Sequence, residues 1–456
     1  MKSLATTARY RLISDNEMPA IPDNWSLERF RFLFSESKER NGEEPVGDML
    51  SVSEYRGVVP RDYENEQQRR SDDELTTYRV VRPGQLAVNT MWLNHLGLGV
   101  SDHLGHVSPA YAVYEISPRL NGRFAHHLLR SQFYLKIYLR YLYGIRPNSH
   151  QIKTDDWNSI PIIVPPLDSQ KEIADFLDRE TARIDQLVEK KSGLVRIQQQ
   201  LRASACLECL VGGSEGFKWD PVAQSYAFQL PSSEWRVNRV KHIVSFMTSG
   251  SRGWGDIIRD DGEVFLQSGN IGRDMDVDFD NVERVEPQSG TEARRTSVRS
   301  SDTLVCITGG RTGAVGFVSI LPETSYINQH VCLLRPDSSK IDPKLLAQML
   351  WSEIGQAQFS STQYGLKQGL GFAEVANVRL PIPPRDSQSS IVADIERRTK
   401  RIDDLTRLIK KSIDVLTERR AALITAAVTG QIDTTEYARR GDNDRRLDAI
   451  EAEMRA

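Results

Sequence analysis

The stretch Pro165-Pro166-Leu167-Asp168-Ser169-Gln170 returns 218 residues later as Pro383-Pro384-Arg385-Asp386-Ser387-Gln388. The flanking sequence matches at the same spacing, without a gap. The matching pairs are Ile173 and Ile391, Arg179 and Arg397, Thr181 and Thr399, Arg183-Ile184-Asp185 and Arg401-Ile402-Asp403, Leu187 and Leu405, Arg202-Ala203 and Arg420-Ala421, and Gly212 and Gly430. Ungapped similarity over such a length indicates an internal repeat.

A fainter repeat opens each half. Pro22 and Trp25 in the first half are echoed by Pro231 and Trp235 in the second. We therefore predict seven segments. They are an N-terminal extension (1–19), a first body (20–164), a first long helix (165–213), a linker (214–230), a second body (231–382), a second long helix (383–432) and a charged C-terminal tail (433–456).

Each proline pair predicts the start of a long helix, because proline cannot continue a helix from the preceding turn. Both helices are expected to end near a glycine, at Gly212 and Gly430. Apolar residues recur at a spacing near 3.5, and a helix over residues 169–210 would span on the order of 60 Å. The predicted packing residues are Ile173, Leu177, Ile184, Leu187, Leu194, Leu201, Ile391, Ile395, Ile402, Leu405, Ile409, Leu416 and Leu423. Matching rows of apolar residues on the two helices favour a coiled coil between them. The alternative is that each helix packs only on its own body.

The two bodies are predicted to be mixed α/β, with many short strands and glycine-rich turns. Glycines 309, 310 and 313 could suggest a phosphate-binding loop. A P-loop requires Lys-Ser/Thr after its glycines, and the sequence lacks it here. The simpler interpretation is a tight hairpin that displays Arg311 and Thr312.

Composition gives DNA binding no support of its own. The 456 residues include 59 Lys and Arg against 62 Asp and Glu, a formal net charge of −3. Phosphate contact usually leaves a basic surface, although a local basic face is compatible with this balance.

No apolar run reaches the roughly 18 residues of a membrane helix, and the N-terminus lacks the apolar core of a secretory signal. We expect a cytoplasmic protein without membrane contact.

Catalytic and metal-binding motifs are missing from the sequence. Cys206 and Cys209 form a Cys-x-x-Cys pair, but no second pair or paired histidines follow at zinc-ligand spacing. There is no Walker A, G-x-S-x-G or H-E-x-x-H motif. We therefore expect no catalytic residue and no metal site.

Taken together, these residues resemble the specificity subunits of type I restriction–modification systems, from about residue 22 to residue 430. Two copies of Pro-Pro-x-x-x-Gln open long helices, with Ser169 and Ser387 where the family often has Glu. The helix ending at residues 419–433 also fits. In the second body the matching features are Ser249-Gly250, Ser301-Asp302-Thr303-Leu304, the three glycines, Asn328-Gln329 and Lys367-Gln368-Gly369. The first body matches through Gly84-Gln85-Leu86 and Asn89-Thr90-Met91-Trp92, but lacks the glycine-rich hairpin.

The resemblance implies an α+β fold, with two target-recognition domains joined by two long antiparallel helices that form a coiled coil. Each domain would read one half of a bipartite, asymmetric site in double-stranded DNA. Two methyltransferase subunits, which use S-adenosylmethionine, and restriction subunits, which use ATP and magnesium, would assemble on this scaffold. The chain itself would bind no cofactor, and its partners would supply much of the phosphate affinity.

Arginine, asparagine and glutamine in the loops of the bodies are the candidate base contacts, because they make bidentate hydrogen bonds to guanine and adenine edges. The candidates are Arg56, Arg61, Asn89, Asn94, His95, Arg252, Asn270, Arg273, Arg311, Thr312, Lys367 and Gln368. Trp92 is expected in the core. Each candidate could also be an ordinary solvated loop residue.

Two other classes of function remain open at this point. A coiled-coil adaptor that binds only proteins would fit the near-neutral charge. An enzyme would require the motifs that are missing.

Overall fold

The computed structural model describes residues 10–11, 18–53, 57–61, 75–143, 151–213, 216–220, 225–272, 274–287, 290–363, 369–434 and 436–437. The chain folds into two compact units. Unit 1 consists of Met1–Lys191 and Lys411–Ala456, and unit 2 of Ser192–Lys410. Each long helix therefore contributes one segment to each unit. The fold class is α+β, as predicted from the resemblance.

Unit 1 contains a body rich in short strands and the first segment of a long helix. Its strands are β1 (Tyr10–Arg11), β2 (Ile21–Pro22), β3 (Ser26–Arg29), β4 (Phe34–Glu36), β5 (Asp48–Ser53), β6 (Gly57–Pro60), β7 (Arg79–Val81), β8 (Leu86–Asn89), β9 (Leu98–Val100), β10 (Gly105–Val107), β11 (Tyr111–Ile116) and β12 (Pro161–Val164). Its helices are α1 (Gly122–Leu129), α2 (Gln132–Tyr141), α3 (Thr154–Ser159) and the start of α4 (Leu167–Val211).

Two four-stranded sheets form the body of unit 1, in the orders β4-β11-β8-β9 and β6-β5-β10-β7. All their pairings are antiparallel except β5 with β10. Strand β12 pairs with β3, so the end of the body returns to its beginning. The core beneath includes Leu86, Val88, Phe124 and Tyr134, which are fully buried.

Unit 2 continues from the second segment of α4. Its strands are β13 (Phe217–Asp220), β14 (Ser225–Phe228), β15 (Arg236–Arg239), β16 (Val244–Ser249), β17 (Ile258–Arg259), β18 (Glu263–Leu266), β19 (Glu283–Val285), β20 (Thr303–Cys306), β21 (Val315–Phe317), β22 (Ser325–Ile327), β23 (Val331–Pro336) and β24 (Arg379–Ile382). Its helices are α5 (Val240–Ile243), α6 (Thr291–Thr296), α7 (Pro343–Trp351), α8 (Glu353–Thr362), α9 (Phe372–Asn377) and α10 (Arg385–Val428), which ends in unit 1.

The first sheet of unit 2 follows the same plan as the first sheet of unit 1. The order β16-β23-β20-β21 corresponds to β4-β11-β8-β9, and β24 pairs with β15 as β12 pairs with β3. The second sheet, β17-β19-β18-β22, also contains one parallel pair, β18 with β22. The first sheets of the two units thus share one arrangement of strands, whereas in the second sheets the parallel pair is central in unit 1 and at the edge in unit 2.

Each of these bodies has a hairpin at the same place in its first sheet. In unit 1 the hairpin β8–β9 is closed by the bond from Asn89 N to Gly97 O, at 2.7 Å. In unit 2 the hairpin β20–β21 is closed by the bond from Cys306 N to Ala314 O, at 2.8 Å. The two loops have equal length. The first body therefore also has a hairpin here, and it closes without the run of glycines found in the second body.

A left-handed residue lets both hairpins turn. Leu96 has φ 51° and Gly313 has φ 88°, and each precedes the residue whose carbonyl closes its loop. Glycine adopts this conformation without strain, whereas leucine needs support from its surroundings.

The glutamine of the first Pro-Pro-x-x-x-Gln motif fixes the start of α4 to the body of unit 1. Gln170 is fully buried. Its Nε2 donates to Pro165 O at 2.8 Å and to Arg119 O at 3.1 Å, and its Oε1 accepts from Asn121 N at 2.6 Å. Asn121 is the N-cap residue of α1. The motif therefore fastens one helix start to another through buried hydrogen bonds.

Gln388 does the same in unit 2. It too is fully buried, and its Nε2 donates to Pro383 O and Lys340 O, each at 3.0 Å. Its Oε1 accepts from the backbone N of Asp342, the N-cap residue of α7. The two motifs thus make matching sets of three hydrogen bonds.

In unit 1 the segments of α4 and α10 run in opposite directions. Asp185 of α4 pairs with Arg420 of α10 at 2.8 Å, and Phe176, earlier in α4, contacts Tyr437, which follows α10. The predicted packing residues of these segments are buried in the core of unit 1. They are Ile173, Leu177, Ile184, Leu187, Leu416 and Leu423.

In unit 2 the helix segments also run in opposite directions, since Arg202 pairs with Asp403 at 2.7 Å and Cys209 lies 3.6 Å from Asp394. Ile395 is buried, and Ile391 packs at the edge of the core. The prediction is wrong for Leu201 and Leu405, which are 51% and 42% exposed. The others, Leu194, Ile402 and Ile409, are half-buried. The predicted packing residues are fully buried where side chains of the body also cover the helices, as at Ile395.

Candidate nucleic-acid interface

Three loops of unit 2 meet at one edge of its first sheet. They are residues 250–252 after β16, the hairpin loop 307–313 and residues 328–330 between β22 and β23. Gly250 N donates to Asn328 O at 3.1 Å, and Ile307 N donates to His330 O at 2.9 Å. A Cβ on Gly250 would lie 1.9 Å from Ile327 O, so this close approach requires glycine. Backbone contacts therefore hold the loops as one surface.

Arg311 and Thr312 lie at the tip of the hairpin, as predicted. Arg311 is exposed, and its Nη1 donates to Ile271 O at 2.8 Å. Thr312 is half-buried and its Oγ1 donates to Gly309 O at 2.7 Å. Both line a cleft of about 350 Å³ with Gln199 and Asp274. One backbone bond orients the Arg311 guanidinium and leaves its other donors for a ligand.

Asn270 is a correction to the predicted set. Its side chain is buried; Oδ1 accepts from Gln267 N at 2.8 Å and Nδ2 donates to Asn281 O at 2.7 Å. Because this side chain is buried and bonded on both sides within its own loop, it is not displayed as a base contact would have to be. Arg252, by contrast, is exposed beside the buried Ser251. The predictions for Arg273, Lys367 and Gln368 lie outside the described residues.

Sequence reasoning missed the polar group formed by Thr308, Gln329 and His330. The hydroxyl of Thr308 hydrogen bonds with His330 Nδ1, and Gln329 Nε2 lies 3.2 Å from His330 Nε2. Both ring nitrogens of His330 are thus engaged, so the imidazole orients its neighbours. The sequence signal for this group was Gln329, an amide that comes two residues after the end of β22 and directly before His330.

Asn89 of unit 1 is a second correction. It is buried, and its Oδ1 accepts from Met91 N at 3.3 Å. Burial raises the pKa of Tyr111, and a hydrogen bond with the Asn89 side chain opposes that shift. Asn89 is therefore a buried residue that shapes the hairpin loop, where an exposed base contact was expected.

The other candidates in unit 1 divide by exposure. Arg61 and His95 are exposed, as a DNA contact requires. Asn94 is half-buried, with its Oδ1 enclosed. Trp92 was expected in the core but is 46% exposed, because the hairpin turns its side chain outward. Arg56 lies outside the described residues.

The described residues contain no group of three His, Cys, Asp or Glu side chains that could hold a metal ion. Burial raises the pKa of the Cys206 thiol to about 12 and that of Cys209 to about 11. Both thiols are protonated near neutral pH and are poor nucleophiles. Among the described helices, none combines the length and apolar character needed to cross a bilayer.

Comparison with known proteins gives consistent matches. Residues 297–417, which include the hairpin of unit 2 and much of α10, match the family model described as the type I restriction modification DNA specificity domain. The chain is 24% identical over 331 residues to the type I restriction enzyme EcoBI specificity subunit of Escherichia coli, covering 69% of this chain and 66% of that protein. It is 21% identical over 281 residues to the MjaVIII specificity subunit of Methanocaldococcus jannaschii, covering 60% and 63%.

A solved structure from work on complex assembly and conformational transition of the type I R-M system has the same fold. It matches with a TM-score of 0.52 at 17% identity, over 90% of this chain and 99% of that one. The alignments to the two curated relatives span just under two thirds of their lengths. Residues 297–417 thus match this DNA specificity domain, and the chain as a whole is similar to type I restriction specificity subunits.

Proposed function

We propose that this chain reads a bipartite, asymmetric site in double-stranded DNA, with the body of each unit binding one half-site. The observation that carries the proposal is the pair of equal hairpins. Both close at the same place in the same sheet order, yet one tip reads Met91-Trp92-Leu93-Asn94-His95 and the other Thr308-Gly309-Gly310-Arg311-Thr312. A shared scaffold with different tips is what two different half-sites require.

The long helices fit the role of a spacer in this proposal. Both α4 and α10 pass from one unit to the other, and their segments are antiparallel within each unit. We propose that they form a coiled coil between two repeated domains and thereby set the number of base pairs between the half-sites.

The proposed partners are two methyltransferase subunits and the restriction subunits, with this chain as a non-catalytic scaffold in the cytoplasm. S-adenosylmethionine would act in the methyltransferase, and ATP and magnesium in the restriction subunit. A formal net charge of −3 supports this division, because partners would then supply much of the phosphate affinity.

The test is methylome sequencing of cells that express this chain with a type I methyltransferase subunit. We expect one bipartite methylated motif, and none when either chain is expressed alone. Replacing residues 231–382 with the second body of another family member should change one half of the motif only. Methylation that is not confined to a bipartite motif, or a change in both halves, would contradict the proposal.

The second candidate function is a coiled-coil adaptor that binds proteins and reads no DNA. The near-neutral charge and the exposed Leu201 and Leu405 favour it. Specific DNA binding weakens steeply with salt, in proportion to the phosphates contacted. Binding of the assembled complex to its motif with such a salt slope separates the two; no preference for any DNA sequence would favour the adaptor.

A further inference from the structure

The hairpin tip of unit 1 holds an apolar pair in solvent. Trp92 is 46% exposed and the adjacent Met91 37% exposed, whereas Leu93 and Leu96 of the same loop are buried. The ring centroids of Trp92 and His95 lie 5.1 Å apart. The loop therefore buries two of its apolar residues and directs the other two outward beside a histidine.

Hydrogen bonds to the backbone of the loop hold Trp92 in this exposed position. Trp92 O accepts hydrogen bonds from His95 N at 3.0 Å and from Gly97 N at 2.9 Å. A Cβ on Gly97 would lie 2.7 Å from Trp92 O, so the loop closes tightly only with glycine there. Arg130 Nη1 also donates to Leu96 O at 3.1 Å and to Leu98 O at 2.5 Å. Trp92 is thus presented from a fixed turn, which lowers the entropy lost when it binds a ligand.

The matching hairpin of unit 2 has the opposite chemistry. Strand register places Val88 opposite Leu98 and Val305 opposite Val315, so Trp92 corresponds to Gly309. By the same count Met91 corresponds to Thr308, and His95 to Thr312. A polar tip in one unit stands where the other unit has an indole and a thioether.

We propose that Trp92, with Met91, inserts as a wedge between two base pairs of the half-site bound by unit 1; this rests on the proposed function. Apolar side chains inserted at a base step unstack it and kink the duplex, and they give specificity because some steps deform more easily than others. A protein-docking patch usually covers several hundred Å². Two side chains on a narrow hairpin tip form a much smaller apolar surface than that and match a base step better.

The test uses the full chain assembled with its methyltransferase subunit and DNA that carries 2-aminopurine at successive positions of the motif. The fluorescence of 2-aminopurine rises when its base leaves the stack. We expect a rise at one step of one half-site with the natural chain and with Trp92→Phe, but not with Trp92→Ala. Trp219→Ala is the matched control, because Trp219 is as exposed as Trp92 but lies on β13 of unit 2.

The affinity for the motif should fall roughly 5- to 150-fold in Trp92→Ala, the range measured for loss of one base–aromatic contact. The salt slope should not change, since no phosphate contact is removed. Natural affinity and fluorescence in Trp92→Ala would overturn the inference, as would a loss of methyltransferase assembly, which would place Trp92 in a protein interface. In both outcomes a bipartite motif methylated by the natural complex would leave the proposed function intact.

Discussion

Arg202 and Asp403 form an ion pair across the two helix segments of unit 2, at 2.7 Å, and Arg420 and Asp185 form its counterpart in unit 1, at 2.8 Å. Each residue of the second pair lies 218 positions from one of the first, with the two helices exchanging roles. Duplicated helices that run antiparallel bring the same two sequence positions together twice. The two equivalent ion pairs therefore follow from the internal repeat together with the antiparallel direction of the helices.

The two pairs should differ in strength. The Arg202 side chain is 15% exposed and also lies 4.3 Å from the ring centroid of Trp351, whereas that of Arg420 is 30% exposed. Double-mutant cycles to alanine, measured by chemical denaturation, should give a coupling energy near 1 kcal/mol for Arg202 and Asp403 and about 0.3 kcal/mol for Arg420 and Asp185. Equal coupling energies would show that burial does not distinguish them.

Replacing Gln170 with alanine should strongly destabilise unit 1. It would leave Asn121 N, Arg119 O and Pro165 O without their buried partner, at a cost of about 2–4 kcal/mol in the free energy of unfolding. Gln388→Ala should have a similar effect on unit 2. Lys171→Ala, at an exposed neighbouring position, is the control and should change stability by less than about 0.5 kcal/mol. A loss no greater than that of the control would contradict the role of the motif.

Lengthening both long helices should change the spacer of the DNA motif and nothing else. Seven residues inserted between Lys191 and Ser192 and seven between Lys410 and Lys411 keep the apolar phase and add about 10 Å to each helix, or roughly three base pairs of rise. Methylome sequencing should find both half-sites unchanged and the spacer longer. New letters in either half-site would show that the helices do not act as a ruler.

Replacing Arg311 with alanine should relax one position of the half-site bound by unit 2. If Arg311 reads a base, the preference for that base should weaken by roughly 1–3 kcal/mol, measured by binding to sites with single substitutions. Arg385→Ala, an exposed arginine at the start of α10, is the control and should leave every position unchanged. A uniform loss of affinity with a shallower salt slope would make Arg311 a phosphate contact instead.

Much of the fold could be predicted from the sequence because the deciding signals are local. Proline pairs define where α4 and α10 begin within two residues, and glycines lie just beyond their ends. The repeat also indicated two similar bodies. Burial along the helices could not be predicted, because the spacing of Leu201 and Leu405 is the same as that of residues that pack. Their exposure depends on where the bodies cover the helices.

The candidate site was predicted less well, for a related reason. Asparagine in a loop has the chemistry of a base contact and also of a turn, and only the folded neighbours decide between them. Asn89 meets Met91 N, and Asn270 meets Gln267 N, so both serve their own loops. Trp92 was misplaced because tryptophan is usually buried, and no local pattern shows that a turn directs it outward.

Because the two hairpin loops have equal length, residues at one tip can be exchanged for those at the other. Because both loops close at equivalent bonds and carry a left-handed residue at the same place, Leu96 and Gly313, the exposed tip residues can be replaced without inserting or deleting any, whereas Leu93 is fixed by the core. If the tips read DNA as proposed, point substitutions there would give new specificities. Such exchange leaves the sheet, the buried glutamines and the helix contacts untouched, so changes in recognition need not be accompanied by changes in assembly.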